Sequence, residues 1–335
     1  MRLLFSTLLF FLIAAFGTFA QNPGNVGITN LSAWFKPDAL PLGNVTTWTT
    51  TLSSIGGVTV TDASAPYPQA TNTPAGNVSN YNTTLFFNAN TTSNLQGLQN
   101  TASLNLLQNN SAGAQGTFFC AYYLPQVAGN SNDHMMLYNN SPHAIQFRNL
   151  GVTGRLAIGL SATNTANATR NWNENFAPSI ISYKGNRSTT TSMTAFENDL
   201  IFPTSTASQS SGPAGLYLGF FPGNATAPYN GCLHEYIFYN TNLSNADIRK
   251  VNTYLAIKYG VTLDNTGGGT QGDYVSSNNK TIWDASVNPS YHNDVIGIGR
   301  DDNQALIQKQ SHSFSDDFRL YIGTIASNNA TNAAS

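Results

Sequence analysis

Charge is what this sequence has least of. Lysine, arginine, aspartate and glutamate make up 9% of its 335 residues, against roughly 25% in an average soluble domain. The 14 basic and 16 acidic side chains leave a formal net charge of −2. So neutral a surface exerts little pull on phosphate, which argues against nucleic acid and acidic membranes as partners. Glutamate is scarcer still: Glu174, Glu197 and Glu235 are the whole set. Cysteine is limited to Cys120 and Cys232, in no Cys-x-x-Cys or Cys/His spacing, which argues against a zinc or redox centre. After residue 20 no apolar run approaches the ~20 residues that span a bilayer, so no membrane span is expected in the mature chain.

Uncharged polar chemistry fills the gap. Asparagine, threonine and 28 glycines dominate, beside 19 Phe, 15 Tyr and 4 Trp that can build a core. Such a chain is a poor helix former and a good former of strands and turns. At the amino end, Met1-Arg2 precedes an apolar stretch over residues 3–16, and Thr18-Phe19-Ala20 offers small residues where a signal peptidase reads. Residues 1–20 are therefore expected to be a signal peptide cleaved before Gln21, with the protein secreted or at the cell surface. An oxidising compartment and an even count permit a disulfide between Cys120 and Cys232; two buried free cysteines on neighbouring strands fit the sequence equally well.

Residues 21–263 read as short strands between turn clusters. Leu31, Ala33 and Phe35 alternate with Ser32, Trp34 and Lys36. Further strands are expected at 58–61, 84–88, 117–124, 135–138, 144–148, 155–159, 179–183, 192–196, 215–221 and 232–239, the pattern of an antiparallel sandwich or barrel. One helix stands out. Ser244 is its N-cap with Asp247 three residues on, Ile248, Val251 and Leu255 share a face flanked by Tyr254 and Tyr259, and Gly260 is placed to end it. It reads as a packing helix that covers the sheet edge. Residues 264–272 have the composition of a flexible linker. Residues 273–335 form a second, β-rich region: eight of the thirteen aspartates fall from Asp264 onward. At roughly 60 residues with few apolar side chains it is marginal alone, so it is expected to pack on the first region or to be completed by further sequence.

The order of segments resembles a known pattern. Asn30-Leu31-Ser32-Ala33-Trp34-Phe35-Lys36-Pro37-Asp38-Ala39, Val45-Thr46-Thr47-Trp48 and Thr84-Leu85-Phe86-Phe87-Asn88 look like the opening of a concanavalin A-like lectin/glucanase domain of the laminin-G-like kind. Gly231-Cys232-Leu233-His234-Glu235-Tyr236-Ile237 resembles its closing hairpin, and Tyr254-Leu255-Ala256-Ile257-Lys258-Tyr259-Gly260 the helix that ends such domains in large secreted surface proteins of Bacteroidetes-type bacteria. Gly272-Asp273-Tyr274-Val275, Thr281-Ile282-Trp283-Asp284 and His292-Asn293-Asp294-Val295-Ile296-Gly297-Ile298-Gly299 resemble a domain of unknown function that follows them. The resemblance implies an all-β, antiparallel jelly-roll β-sandwich with one short helix after its last strand, plus part of a second small β-rich module. It implies no activity, because fold does not carry function.

Glycoside hydrolysis needs two carboxyl groups across the scissile bond. Glucanases of this fold usually carry Glu-x-Asp-x-x-Glu on one strand, and none of the three glutamates stands in such a motif. Glu235 and Glu197 are the weak catalytic candidates, with Glu235 more readily a buried residue tying its strand to a neighbouring loop. The histidines show no metal-ligand spacing. Calcium suits the chain better than a transition metal, and Asp301 with Asp302, and Asp133 beside Asn132, are the densest oxygen clusters; a turn with an Arg300 salt bridge explains the Asp301–Asp302 pair more simply. Sugar recognition would use aromatic faces and amides on loops, with Trp172, Asn173 and Tyr229 as candidates. The leading reading is a non-catalytic, lectin-like module that binds glycans or surface polymers. A glycoside hydrolase with dispersed carboxylates and a structural spacer of a long surface protein are the alternatives.

Overall fold

A computed structural model describes residues 21–62, 66–72, 78–88, 96–107, 115–124, 134–140, 143–149, 155–159, 168–171, 177–186, 193–202, 214–220, 229–315 and 318–333. The first region contributes β1 (Leu31–Phe35), β2 (Gly43–Asn44), β3 (Thr47–Thr49), β4 (Thr59–Thr61), β5 (Gln69–Thr71), β6 (Thr84–Asn88), β7 (Leu98–Leu104), β8 (Gln115–Tyr123), β9 (His134–Asn140), β10 (His143–Asn149), β11 (Arg155–Gly159), β12 (Ala168–Asn171), β13 (Ser179–Asn186), β14 (Met193–Glu197), β15 (Leu200–Phe202), β16 (Ala214–Leu218) and β17 (Asn230–Tyr239). They form two antiparallel sheets. The nine-stranded sheet runs β15-β14-β13-β8-β17-β6-β5-β2, with β1 added beside β17. The eight-stranded sheet runs β12-β11-β10-β9-β16-β7-β4-β3. The protein is an all-β sandwich.

Between the sheets lies an apolar core that includes Phe35, Trp48, Leu85, Phe87, Phe118, Tyr122, Leu216 and Phe238. Alternation places one face of each strand there, and each large side chain so buried stabilises by about 1.5–3 kcal/mol. The other face of the nine-stranded sheet is also covered. Helix α1 (Asn245–Tyr259) lies across it and packs Ile248, Val251, Tyr254, Leu255 and Tyr259 on Leu31, Trp34, Phe119, Ile180 and Ile237. The helix therefore covers the face of the sheet, not its edge as the sequence suggested. For the same reason all five residues of β1 are buried.

The helix ends are set locally. Ser244 Oγ accepts from the Asp247 amide at 3.1 Å, satisfying one of the unpaired N-terminal donors. Gly260 ends the helix with φ of 67°, a conformation that disfavours any side chain.

After α1 come β18 (Tyr274–Val275), β19 (Thr281–Trp283), β20 (Gly299–Asp301), β21 (Leu306–Gln308), β22 (Gln310–His312) and β23 (Arg319–Tyr321), paired as three two-stranded ribbons. Two-stranded ribbons are marginal alone, and these lean on the sandwich. Tyr274 and Leu306 join the helix-side core. Tyr274 OH donates to Val261 O at 2.9 Å and accepts from Leu263 N. The glycine-rich stretch 264–272 is pinned at both ends, since Asp264 N donates to Asn198 O and Gly272 N to Asp199 Oδ2. From the sandwich side, Asn80 Nδ2 donates to Ile257 O, Lys258 O and Ser311 Oγ, while its Oδ1 accepts from His312 N.

The disulfide that the cysteine count permits is not formed. Both cysteines are free and buried. Cys120 points into the inter-sheet core, whereas Cys232 pairs with Tyr123 and Phe86, neighbours of the opposite pleat. Facing opposite sides of one sheet, the two sulfurs cannot meet. Burial pushes the Cys232 thiol up to about 12, so it is an inert thiol.

Candidate functional site

The densest chemistry sits under α1. Glu235, on the helix-facing side of β17, is fully buried. Its carboxylate accepts from Trp34 Nε1 at 2.8 Å, Tyr254 OH at 2.9 Å and Tyr259 OH at 3.0 Å, and forms a salt bridge with Lys258. Lys258 also reaches Asp38 Oδ2 at 2.8 Å, and Lys36 approaches the same oxygen at 3.0 Å. Burial opposes the Lys258 ammonium, but Asp38 and Glu235 outweigh it and hold the amine above its ordinary value. Burial would likewise raise the Asp38 carboxyl, yet Lys258 and Lys36 together hold it below its usual range. Burial and then the Glu235 charge push the Tyr254 and Tyr259 hydroxyls well above the phenol range, so both stay donors. Next door, His234 stacks on Tyr259 at 4.5 Å, and burial, followed by Lys258, lowers it to about 3. It is a neutral imidazole at every ordinary pH.

Two clefts open where the sandwich meets the residues after α1. The first, of about 360 Å³, lies over the Lys258 cluster and is lined by Lys36, Asp38, Asn72, Thr83, Lys258 and Lys309. The second, of about 460 Å³, is lined by Glu197 at the end of β14, Asn198 from the β14–β15 turn, Asp264 and Thr266, Asn293 and Asp294, and Phe314. Phe314 is 39% exposed. Carboxylates, amides, a hydroxyl and one open aromatic ring are the groups that hold a sugar ring by its hydroxyls and its apolar face.

The residues singled out from sequence are scattered across the molecule. Glu235 is consumed by its four donors. Glu197 lies on β14, opposite Ile181 of the inter-sheet core, three strands from β17, or ~14 Å at 4.7–4.9 Å per strand. It falls on the opposite pleat from Glu235, so the two cannot flank one scissile bond. Tyr229 is no loop aromatic. It is fully buried against Phe87, and its OH donates to Tyr123 O and Cys232 O. Trp172 and Asn173, like Asn132 and Asp133, lie outside the described residues. Asp301 accepts from Ser277 N, Ser277 Oγ and Gln304 Nε2, and Asp302 from Arg300 Nε at 2.7 Å. Both carboxylates thus accept hydrogen bonds from protein donors, Asp302 on a side chain that stays 57% exposed. Among the described residues no group of three or more His, Cys, Asp or Glu could hold a metal ion. Also among them, no helix is long and apolar enough to cross a membrane.

With an all-β sandwich and its helix-side cluster defined, comparison with known proteins gives one family. The family model of a domain of unknown function (DUF8202) matches residues 247–335, from the first turn of α1 onward. No curated protein matches the chain. Among solved structures, the chain is similar to domain 4 of AbnA, a GH43 extracellular arabinanase from Geobacillus stearothermophilus in complex with arabinotriose, at 11% identity over 67% of this chain and 98% of that one, with a TM-score of 0.43. It is similar to Trypanosoma rangeli sialidase in complex with sialic acid at 11% identity and a TM-score of 0.46, covering 69% of this chain and 33% of the sialidase. A structure of botulinum neurotoxin type C gives 10% identity and a TM-score of 0.39, covering 48% of this chain and 40% of that one. The chain thus spans about a third of the sialidase, and likenesses this distant assign no function.

Proposed function

We propose that the protein is a secreted or surface-displayed, non-catalytic glycan-binding or adhesion module of the concanavalin A-like, laminin-G-like kind. The observation that carries this reading is the second cleft, where the exposed Phe314 ring stands beside Asp264, Thr266, Asn293 and Asp294. A pyranose lies with its apolar face on the ring and its hydroxyls toward the carboxylates and amides. Shallow wet sites of this kind bind weakly, and display of many copies raises their avidity. The amino-terminal sequence supports an address outside the cytoplasm.

A panel of neutral and acidic oligosaccharides, titrated by calorimetry, tests the reading. One or more should bind, without release of reducing sugar, and Phe314→Ala should weaken binding at least tenfold while the protein stays folded by circular dichroism, because the ring is partly exposed and its loss costs only part of the ~1.5–3 kcal/mol of a fully buried side chain. Absence of binding across the panel, or unaltered affinity in Phe314→Ala, contradicts it. Sugar release abolished by Glu197→Gln would establish a hydrolase instead.

A further inference from the structure

The Glu235–Lys258–Asp38 cluster has a geometry that a plain ion pair does not need. Lys258 is 5% exposed, and its nitrogen sits 2.8 Å from Asp38 Oδ2. Glu235, a second carboxylate, touches the same nitrogen. The rings of Tyr254 and Tyr259 flank the ammonium, with centroids 5.8 and 5.2 Å away, and Trp34 closes the other side of Glu235. Asp38 Oδ2 takes both lysines, while among the described residues Oδ1 has no hydrogen-bond donor, on a side chain 37% exposed that lines the first cleft. A largely buried amine in hydrogen-bond contact with one carboxyl group, with a second carboxylate in place to carry protons, has the parts for amide condensation.

We propose that Lys258 and Asp38 become joined by an isopeptide bond after folding, with Glu235 as the proton carrier. Glu235 takes one proton from the Lys258 ammonium and delivers it to Asp38 Oδ1, and the freed amine attacks Cγ of the now neutral carboxyl group. As the C–N bond forms, negative charge builds on Oδ2, where the Lys36 ammonium at 3.0 Å stabilises it. Glu235 then takes the second proton from nitrogen and passes it to the Oδ1 hydroxyl, whose bond to Cγ breaks, and one water leaves into the cleft. Ammonium and carboxylate become one amide and one water, and nothing is oxidised or reduced. The resting ion pair reacts only through its minor neutral form, so the bond forms more slowly than the chain folds. It ties the turn after β1 to the last turn of α1, across 220 residues of sequence, in a protein whose two cysteines are free.

Mass spectrometry of the full denatured chain tests this. The expected mass is about 18 Da, one water, below that of the sequence from its observed amino terminus. A proteolytic digest should yield one branched peptide that carries both Asp38 and Lys258. The branched peptide should vanish in Lys258→Arg and Asp38→Ala and become a minor species in Glu235→Gln. Recovery of Asp38 and Lys258 on separate, unmodified peptides from the wild-type chain overturns the proposal. So does a water loss that persists in Asp38→Ala, and a wild-type yield of branched peptide in Glu235→Gln removes the proton carrier. The wild-type digest decides the matter even where a variant fails to fold.

Discussion

The two faces of the nine-stranded sheet are both buried, but they are built from different chemistry. The inner face, against the second sheet, is Ala33, Phe35, Phe118, Cys120, Tyr122 and Phe238. The outer face, against α1, sets Leu31, Trp34, Phe119 and Ile237 around a fully buried Glu235 and its lysine. Adjacent residues of the same strands supply both. An apolar interface depends on volume and tolerates repacking, whereas a buried charge network depends on every partner being present. The outer face is therefore the more specific of the two, and it fixes where the helix and everything after it must sit.

The contrast can be broken hardest with acid. His234 is neutral in the folded protein, with its value lowered to about 3 from an ordinary 6.5. The unfolded chain binds a proton below about pH 6.5 that the folded chain refuses, so stability is full above 6.5 and falls as pH drops toward 3. The loss reaches about 4–5 kcal/mol. Denaturant titrations at stepped pH should show it, and His234→Gln should flatten the slope over that window. Next in size, Glu235→Gln keeps shape and removes one charge. In chains where Lys258 is still an ammonium it should cost about 3 kcal/mol, since Lys258 then lacks half its compensation, read as a shift of the urea midpoint.

Gly260→Ala probes the join between helix and sandwich. A methyl there would lie 3.2 Å from Asn80 Cγ, on a backbone with φ of 67°, and the cost should be about 1–2 kcal/mol. The smallest effect belongs to the inner face. Leu85→Met conserves volume among apolar neighbours and should cost less than about 1.5 kcal/mol in the same titration. A cost above that of Glu235→Gln would reverse the ranking of the two faces.

Much of this was legible in the sequence, for physical reasons. Strands such as β6, β8, β13 and β17 carry enough apolar residues to be placed, and Ser244 and Gly260 mark the helix ends through their capping chemistry. The seven-residue β7, with Leu98 its one buried residue, is not anticipated from the sequence. Strands β2, β3, β5 and β15 have two or three residues each, too few for a period of two to register. Tyr229 reads as a turn residue beside Pro228, and only the stacking of the sheets carries its ring inward. The Glu235 cluster was half visible. Lys258 continues the apolar stripe of Val251 and Leu255, and an ammonium on a buried stripe calls for a buried acid. Its second partner, Asp38, is 220 residues away, a separation that local pattern cannot bridge. The second cleft is assembled from five separate stretches of chain and leaves no local mark.

Both clefts exist only while the residues after α1 stay docked on the sandwich, which is the central structural claim. Native-state hydrogen exchange measures that docking directly. The amides of Val275 and His312, which donate to Thr253 Oγ1 and Asn80 Oδ1, should open with the same free energy as the central amides of α1, as members of one cooperative unit. Exchange of these amides through a separate, lower-energy opening, with α1 still protected, would contradict it.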